Sequence, residues 1–222
     1  MSANDPQDLK RIYETRFEST RQYRSRVWSI LLGDFFQKYI GSTETVLDLG
    51  CGYGEFINQV QCGKRYAMDL NPNAPGFLEK SVTFLEQDCS QKWQLPEGSL
   101  NVVFTSNFFE HLPDKAALGR TLDEARRCLA PGGRLIAMGP NIKYLPGKYW
   151  EFWDHHLALT EESLKEAVTT RGFQVDRCEG RFLPYTMVNS PEYPLVFLRT
   201  YLKLRPAWSI FGKQFLVIAR KP

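Results

Sequence analysis

Hydrophobic positions follow one period over the first forty residues and others beyond them. Within residues 7–40, Trp28, Leu31, Leu32, Phe35, Phe36 and Tyr39 fall at i, i+3, i+4, i+7, i+8 and i+11, the spacing of a single apolar helix face. Gly41-Ser42 closes that segment. From Glu44 onward, short apolar runs alternate with helical patterns. Strands are predicted at Thr45–Leu49, Arg65–Asp69, Val82–Glu86, Asn101–Thr105, Arg134–Met138, Phe173–Arg177 and Gln214–Ala219. Between them the pattern predicts a short helix after Gly54 and a longer one from Asp114 to Leu129. The longer one carries the stripe Leu118, Leu122, Ala125, Leu129 and stops at Pro131-Gly132-Gly133. A third helix runs from a Thr160 cap, with Glu161 and Glu162 in its first turn, to Gly172.

Alternating strands and helices imply an α/β fold, a mostly parallel sheet covered by helices on both faces. The run "TVLDL" is nearly all apolar, as befits a central strand buried on both sides. Ligands of such sheets bind beyond the carboxyl ends of the strands. The residues there are Asp48–Gly54, Asp69–Asn71, Asp88-Cys89, Ser106–His111 and Gly139–Asn141, a set rich in Gly, Asp, Asn and His. The expected division is an N-terminal helical cap over residues 1–43 and an α/β domain over 44–222. Within that domain, residues 181–213 form an insertion before the last strand.

At 222 residues the chain can bury a full core without disulfides or a structural metal. Its five cysteines are scattered, odd in number and free of any C-x-x-C pair, which suits a reducing, cytoplasmic setting. The polar, charged start shows no secretory signal, and no apolar run approaches the roughly 20 residues of a membrane span. The net charge is +3, yet residues 181–222 hold seven bases against one acid, Glu192. That basic fifth suits an anionic substrate or surface as well as a plain solvated face.

The loop after the first strand reads D-x-G-x-G-x-G, with Asp48, Gly50, Gly52 and Gly54. Glycines there let the backbone turn tightly while a ligand rests against it. A dinucleotide fingerprint would place a third glycine at position 55 or 57, where Glu55 and Ile57 stand, and Glu55 would repel a phosphate. An acid at the head of the loop suits a ligand with an ammonium group and no phosphate.

"VLDLGCGYG" resembles the first motif of class I S-adenosylmethionine-dependent methyltransferases. The likeness extends over residues 44–180 through "YAMDLNP", "VTFLEQDCS", "LNVVFTSNFFEHL" and "EARRCLAPGGRLIAMGPN". The resemblance implies a Rossmann-like seven-stranded sheet whose last strand inserts antiparallel, with N-terminal helices over the cofactor cleft. It implies S-adenosyl-L-methionine as cofactor, held by Asp48, Gly50, Cys51, Gly52, Gly54, Asp69, Leu70, Asp88, Cys89 and Asn107. In that arrangement Asp69 accepts from the ribose hydroxyls, Asp88 from the adenine amino group, and the Cys89 amide donates to the adenine ring. The phrases "SNFFEHL", "GPNIKYLPGKYWEFWDHH" and "RFLPYT" resemble a bacterial subgroup associated with surface-polysaccharide assembly. That likeness implies O-methylation of a sugar on a nucleotide or lipid carrier.

Methyl transfer to a hydroxyl calls for a base, and His155 or His156, beside Asp154, is the expected one. The competing reading packs one of them under the following helix; His111 in "FFEHLP" carries the same ambiguity. No metal is expected, because adjacent histidines point apart and no carboxylate spacing completes a ligand set. The aromatics Tyr144, Tyr149, Trp150, Phe152 and Trp153 suit either an acceptor pocket or packing beneath a lid. "YPLVFLRTYLKLRPAWSIFGK" suits a substrate cover, a homo-oligomer contact or an interfacial helix at a membrane surface. The expected partner is a small-molecule acceptor such as a saccharide or nucleotide sugar, rather than nucleic acid. A non-catalytic cofactor-binding protein and a nicotinamide-dependent oxidoreductase are the rival readings.

Overall fold

The computed structural model describes residues 21–185 and 192–222. The first predicted stripe forms α1 (Arg21–Leu31), a π-helical turn (Leu32–Phe36) and a 3-10 turn (Gln37–Tyr39). It buries Leu31, Leu32, Phe35 and Phe36 along the face that the spacing marks out. Residues 7–20 of the expected helix lie outside the described residues, as does the end of "RFLPYT".

Seven strands build one sheet: β1 (Thr45–Leu49), β2 (Lys64–Asp69), β3 (Val82–Glu86), β4 (Leu100–Ser106), β5 (Leu129–Pro140), β6 (Gln174–Glu179) and β7 (Gln214–Arg220). Their order is β3-β2-β1-β4-β5-β7-β6. Strands β1 to β5 pair in parallel, and β7 inserts antiparallel between β5 and β6. The chain runs outward from β1 to β3, then crosses back to β4, so the topological switch lies between β1 and β4. This is the crevice where such sheets bind ligands.

The two-residue period of β1 sorts its side chains onto opposite faces. Leu47 and Leu49 join a core with α2 (Lys115–Cys128) and α3 (Glu161–Thr169), through Leu118, Leu122, Leu164 and Val168. Val46 joins a second core with Phe36 of the π turn, Phe104 of β4, and Leu202 and Trp208. Leu202 and Trp208 come from α4 (Leu195–Lys203) and α5 (Arg205–Phe211). Each fully buried Leu or Phe here contributes roughly 1.5–3 kcal/mol. Asp114 caps α2 by accepting from the Ala117 amide at 2.7 Å, and Thr160 with Ser163 closes a reciprocal cap on α3.

Two local expectations need correction. The segment after Gly54 is a run of turns. Its i→i+4 bonds run from Asn58 N to Gly54 O and from Val60 N to Phe56 O, both at 3.0 Å. Eight residues separate Gly54 from Gly63, too few to offset the cost of helix nucleation. Pro131-Gly132-Gly133 is not outside the sheet but a register shift within β5: Leu129 pairs with Leu100, and Arg134 next pairs with Val102. The stretch read as cover, oligomer contact or interfacial helix is two helices, α5 opening on Pro206, which suits a first helical turn. No helix among the described residues is long and apolar enough to cross a membrane. All five cysteines are free thiols.

Candidate active site

The loop leaving β1 is held against β2 by its own backbone. Gly50 N and Cys51 N both donate to Met68 O, at 2.9 and 3.2 Å. Gly52 N donates to Asp69 Oδ2 at 2.8 Å, and Asn71 N to Asp69 Oδ1 at 2.9 Å. Gly50, Gly52 and Gly54 all have positive φ, at 71°, 52° and 72°. Two of them also need to be bare: a Cβ on Gly50 would stand 2.3 Å from the Phe108 ring, and one on Gly54 would stand 2.6 Å from Leu78.

Carboxyl groups accumulate beside this loop. Asp48 is buried, and its pKa is raised well above the usual carboxylate range by desolvation, then by Glu55 and Asp69. A hydrogen bond from the Ile57 backbone works in the opposite direction. Burial also raises Asp69, against the backbone donors of Asn71, Gly52 and Leu70. Glu55 is paired with Arg24 of α1 at 2.8 Å, whereas no Lys or Arg among the described residues pairs with Asp48 or Asp69. Such a site favours a cationic ligand and repels a phosphate. Asn71 adds a buried side-chain nitrogen without a protein partner among the described residues, an available donor at the end of β2.

The remaining expected cofactor residues flank this centre. Asp88 closes a turn by accepting from Ser90 N at 2.8 Å. Cys89 is buried, its thiol pushed up to about 12, mainly by burial and less by Asp88 and Asp69 and against a hydrogen bond from Thr121, and its carbonyl accepts from Trp93 Nε1. Cys51 is likewise buried and its thiol raised, so both cysteines act as protonated packing groups. Asn107 has the left-handed φ of 50° that Asn tolerates. Its amide donates to Met138 O at 2.8 Å, which turns Phe108 toward the glycine loop.

The two histidines part company. His155 is buried, stacked on Phe152 at 4.9 Å and edge-on to Tyr149 and His111 at 4.9 and 5.0 Å. The exposed His156 is adjacent; its amide and that of Leu157 donate to Glu110 O at 2.9 and 3.0 Å. These bonds tie the 155–157 loop to a 3-10 turn (Phe109–His111) after β4. There Glu110 is fully buried and pushed up to about 8, mainly by desolvation and less by Asp154. The Glu110–His111–His155 grouping escaped the sequence reading. His155 lies more than forty positions from the adjacent Glu110 and His111, so "EHL" and the His155-His156 pair gave two separate signals with nothing in the spacing to join them. The aromatic segment divides as well: Tyr149 is core, whereas Trp153 is 89% exposed and Trp150 52%.

The profile of the methyltransferase domain family matches residues 20–177. Among curated relatives, the 2-methyl-6-phytyl-1,4-hydroquinone methyltransferase of Synechocystis is 25% identical, over 58% of this chain and 46% of that one. Phosphoethanolamine N-methyltransferase 1 of Arabidopsis thaliana is 32% identical, over 42% of this chain and 20% of that one. The chain spans less than half the length of the curated relatives it matches. A solved S-adenosylmethionine-dependent methyltransferase from Archaeoglobus fulgidus shares the fold with a TM-score of 0.67 and 21% identity. That match covers 92% of this chain and 99% of that one. Glycine loop, carboxylate-lined switch point, sheet order and family profile agree: the chain belongs to the class I S-adenosylmethionine-dependent methyltransferases.

Proposed function

We propose that the protein transfers a methyl group from S-adenosylmethionine to an oxygen of a small, sugar-like acceptor. The observation that carries this reading is the imidazole and carboxylate cluster of Glu110, His111 and His155, one turn beyond the Phe108 that abuts the glycine loop. An amine that arrives neutral needs no base, whereas a hydroxyl must lose its proton as it attacks.

The residues that would hold the cofactor are Asp48, Gly50, Cys51, Gly52, Gly54, Asp69, Leu70, Asp88, Cys89 and Asn107. The loop backbone and the Asp48 and Asp69 carboxylates suit its cationic end and its ribose. Bound there, S-adenosylmethionine supplies an electrophilic methyl carbon on a sulfonium whose departure needs no acid. The chain's remaining tasks are alignment and proton removal, and alignment alone is worth about 7–11 kcal/mol. His155 and His156 share the proton chemistry in this reading. His156, with its ring open to solvent, takes the proton and passes it to water; His155 fixes the wall against which the acceptor lies.

Trp150 and Trp153 offer exposed aromatic faces on the same segment, which supports a saccharide-like acceptor. Val196, Phe197, Ile210 and Phe211 are exposed beside Arg199, Lys203 and Arg205, a surface that supports an acceptor on an anionic or lipid carrier. The test is a methyl-transfer screen over nucleotide sugars, saccharides and phenols, with mass detection of the product. His156→Ala should lower kcat by about 10²–10⁴-fold and leave cofactor affinity unchanged. Unchanged turnover removes His156 from the mechanism, and methylated amines as the only products would replace the oxygen acceptor.

A further inference from the structure

We infer that Glu110, His111 and His155 form a binding site for a divalent transition-metal ion, with Asp154 orienting one of its ligands. One donor atom from each of the three residues lies within 4.8 Å of the others. Two ligands of a tetrahedral zinc-like ion, each about 2.0–2.2 Å from it, stand about 3.3–3.6 Å apart. An approach of up to about 1.5 Å, shared between two side chains, therefore closes the widest pair. The pair His111 Nε2 and Glu110 Oε1 stands at 3.9 Å, too far for a hydrogen bond and about half an ångström beyond the span of two tetrahedral ligands to one ion.

The tautomer of His111 is set for this task. Its Nδ1 lies 2.9 Å from the Asp154 carbonyl and 3.3 Å from Asp154 Oδ2, two atoms that only accept. Nδ1 therefore carries the proton, and the Nε2 lone pair is directed to the side of Glu110. A ligating imidazole whose other nitrogen donates to a carbonyl or carboxylate is the usual outer-shell arrangement of metal sites. The grouping is also preorganised. Glu110 O accepts from His156 N and Leu157 N, which pins His155 to the 109–111 turn, and Phe152 and Tyr149 pack the His155 ring.

Two imidazoles and one carboxylate suit Zn²⁺ or Mn²⁺ better than the all-oxygen preference of Ca²⁺ and Mg²⁺. Three protein ligands among the described residues leave coordination positions open, as catalytic sites do. Glu110 Oε2 lies 3.4 Å from where a Cβ on Gly139 would stand, so the ion sits at the carboxyl ends of β4 and β5, at the edge that carries the glycine loop. Resting here on the methyl-transfer reading, the open positions would take the acceptor hydroxyl and lower its pKa. His155 is then a ligand, and His156 is left to accept the proton.

The test titrates the full chain, stripped with a chelator, with Mn²⁺ while electron paramagnetic resonance counts the free ion. S-adenosylmethionine binding is measured separately by calorimetry. The expected result is one Mn²⁺ per chain, displaced by Zn²⁺. Glu110→Gln and His111→Asn should each weaken binding at least about tenfold, with cofactor affinity and thermal melting retained. His111 is only partly buried, so His111→Asn keeps the test sound should Glu110→Gln not fold. Failure to bind either ion up to about 1 mM, or equal binding in the doubly substituted chain, overturns the site. If the cofactor still binds in that case, the methyltransferase reading stands without a metal. A chain that binds Mn²⁺ but not the cofactor keeps the metal site and loses that reading.

Discussion

A methyl group added at Gly50 would meet the Phe108 ring at 2.3 Å, on a backbone whose φ of 71° already disfavours any side chain. Gly50→Ala should cost about 1–3 kcal/mol in denaturant unfolding. Adding Phe108→Ala should relieve the clash and leave the backbone strain, so the two effects will not sum. Asp48 makes a prediction of the opposite sign. Burial, Glu55 and Asp69 raise its folded pKa, so its contribution to stability is greatest below the ordinary carboxylate pKa. That contribution is lost as pH rises through the raised folded value. Asp48→Asn should therefore gain thermal stability over the wild type as pH climbs from 4 to 8, while binding the cofactor more weakly. A melting difference that stays flat across that range would show that the charge at Asp48 is not buried at cost. The run from Asp48 to Gly54 and the acid Asp69 were legible in the sequence because glycine and aspartate are poor choices for a buried strand end. Asn71 and Phe108 were not, since neither residue type announces a ligand or a close approach.

The elements were legible where period and punctuation agree. β1 and β3 begin and end where the alternation says, and α2 and α3 start at the cap residues Asp114 and Thr160. The turn after Gly54 was misread because an apolar pair, Phe56-Ile57, looks the same in one helical turn as in three. The stretch expected as a cover, contact or interfacial helix gave no bounds for α4 and α5, because bases interrupt its apolar spacing. What sets α1 in place is aromatic. Trp28 meets Phe56 and Phe104 edge-on at 6.0 and 5.8 Å, and those two rings stack at 3.7 Å. Trp28→Ala should cost about 2–4 kcal/mol in equilibrium unfolding. It should also loosen the Arg24–Glu55 pair that neutralises one carboxylate beside the glycine loop, visible as faster hydrogen exchange over residues 50–60. Exchange there unaltered by the substitution would separate α1 from the loop.

In the molecule as a whole, one crevice has two walls of different chemistry. The β1–β2 wall is carboxylate and backbone, suited to a cation with hydroxyls. The β4–β5 wall is imidazole and carboxylate, suited to an acceptor oxygen and the ion inferred to hold it. Sheet order fixes their separation, and no linear spacing reveals it, because His155 reaches Glu110 only through the fold. The central claim is that the glycine loop and Asp69 grip S-adenosylmethionine. Calorimetry of the wild-type chain against Asp69→Asn and Gly52→Val tests it most directly. The account predicts one cofactor bound per wild-type chain and at least about a tenfold loss, 1.4 kcal/mol or more, in each variant. A wild-type chain that ignores the cofactor, or variants that bind it equally well, would contradict it.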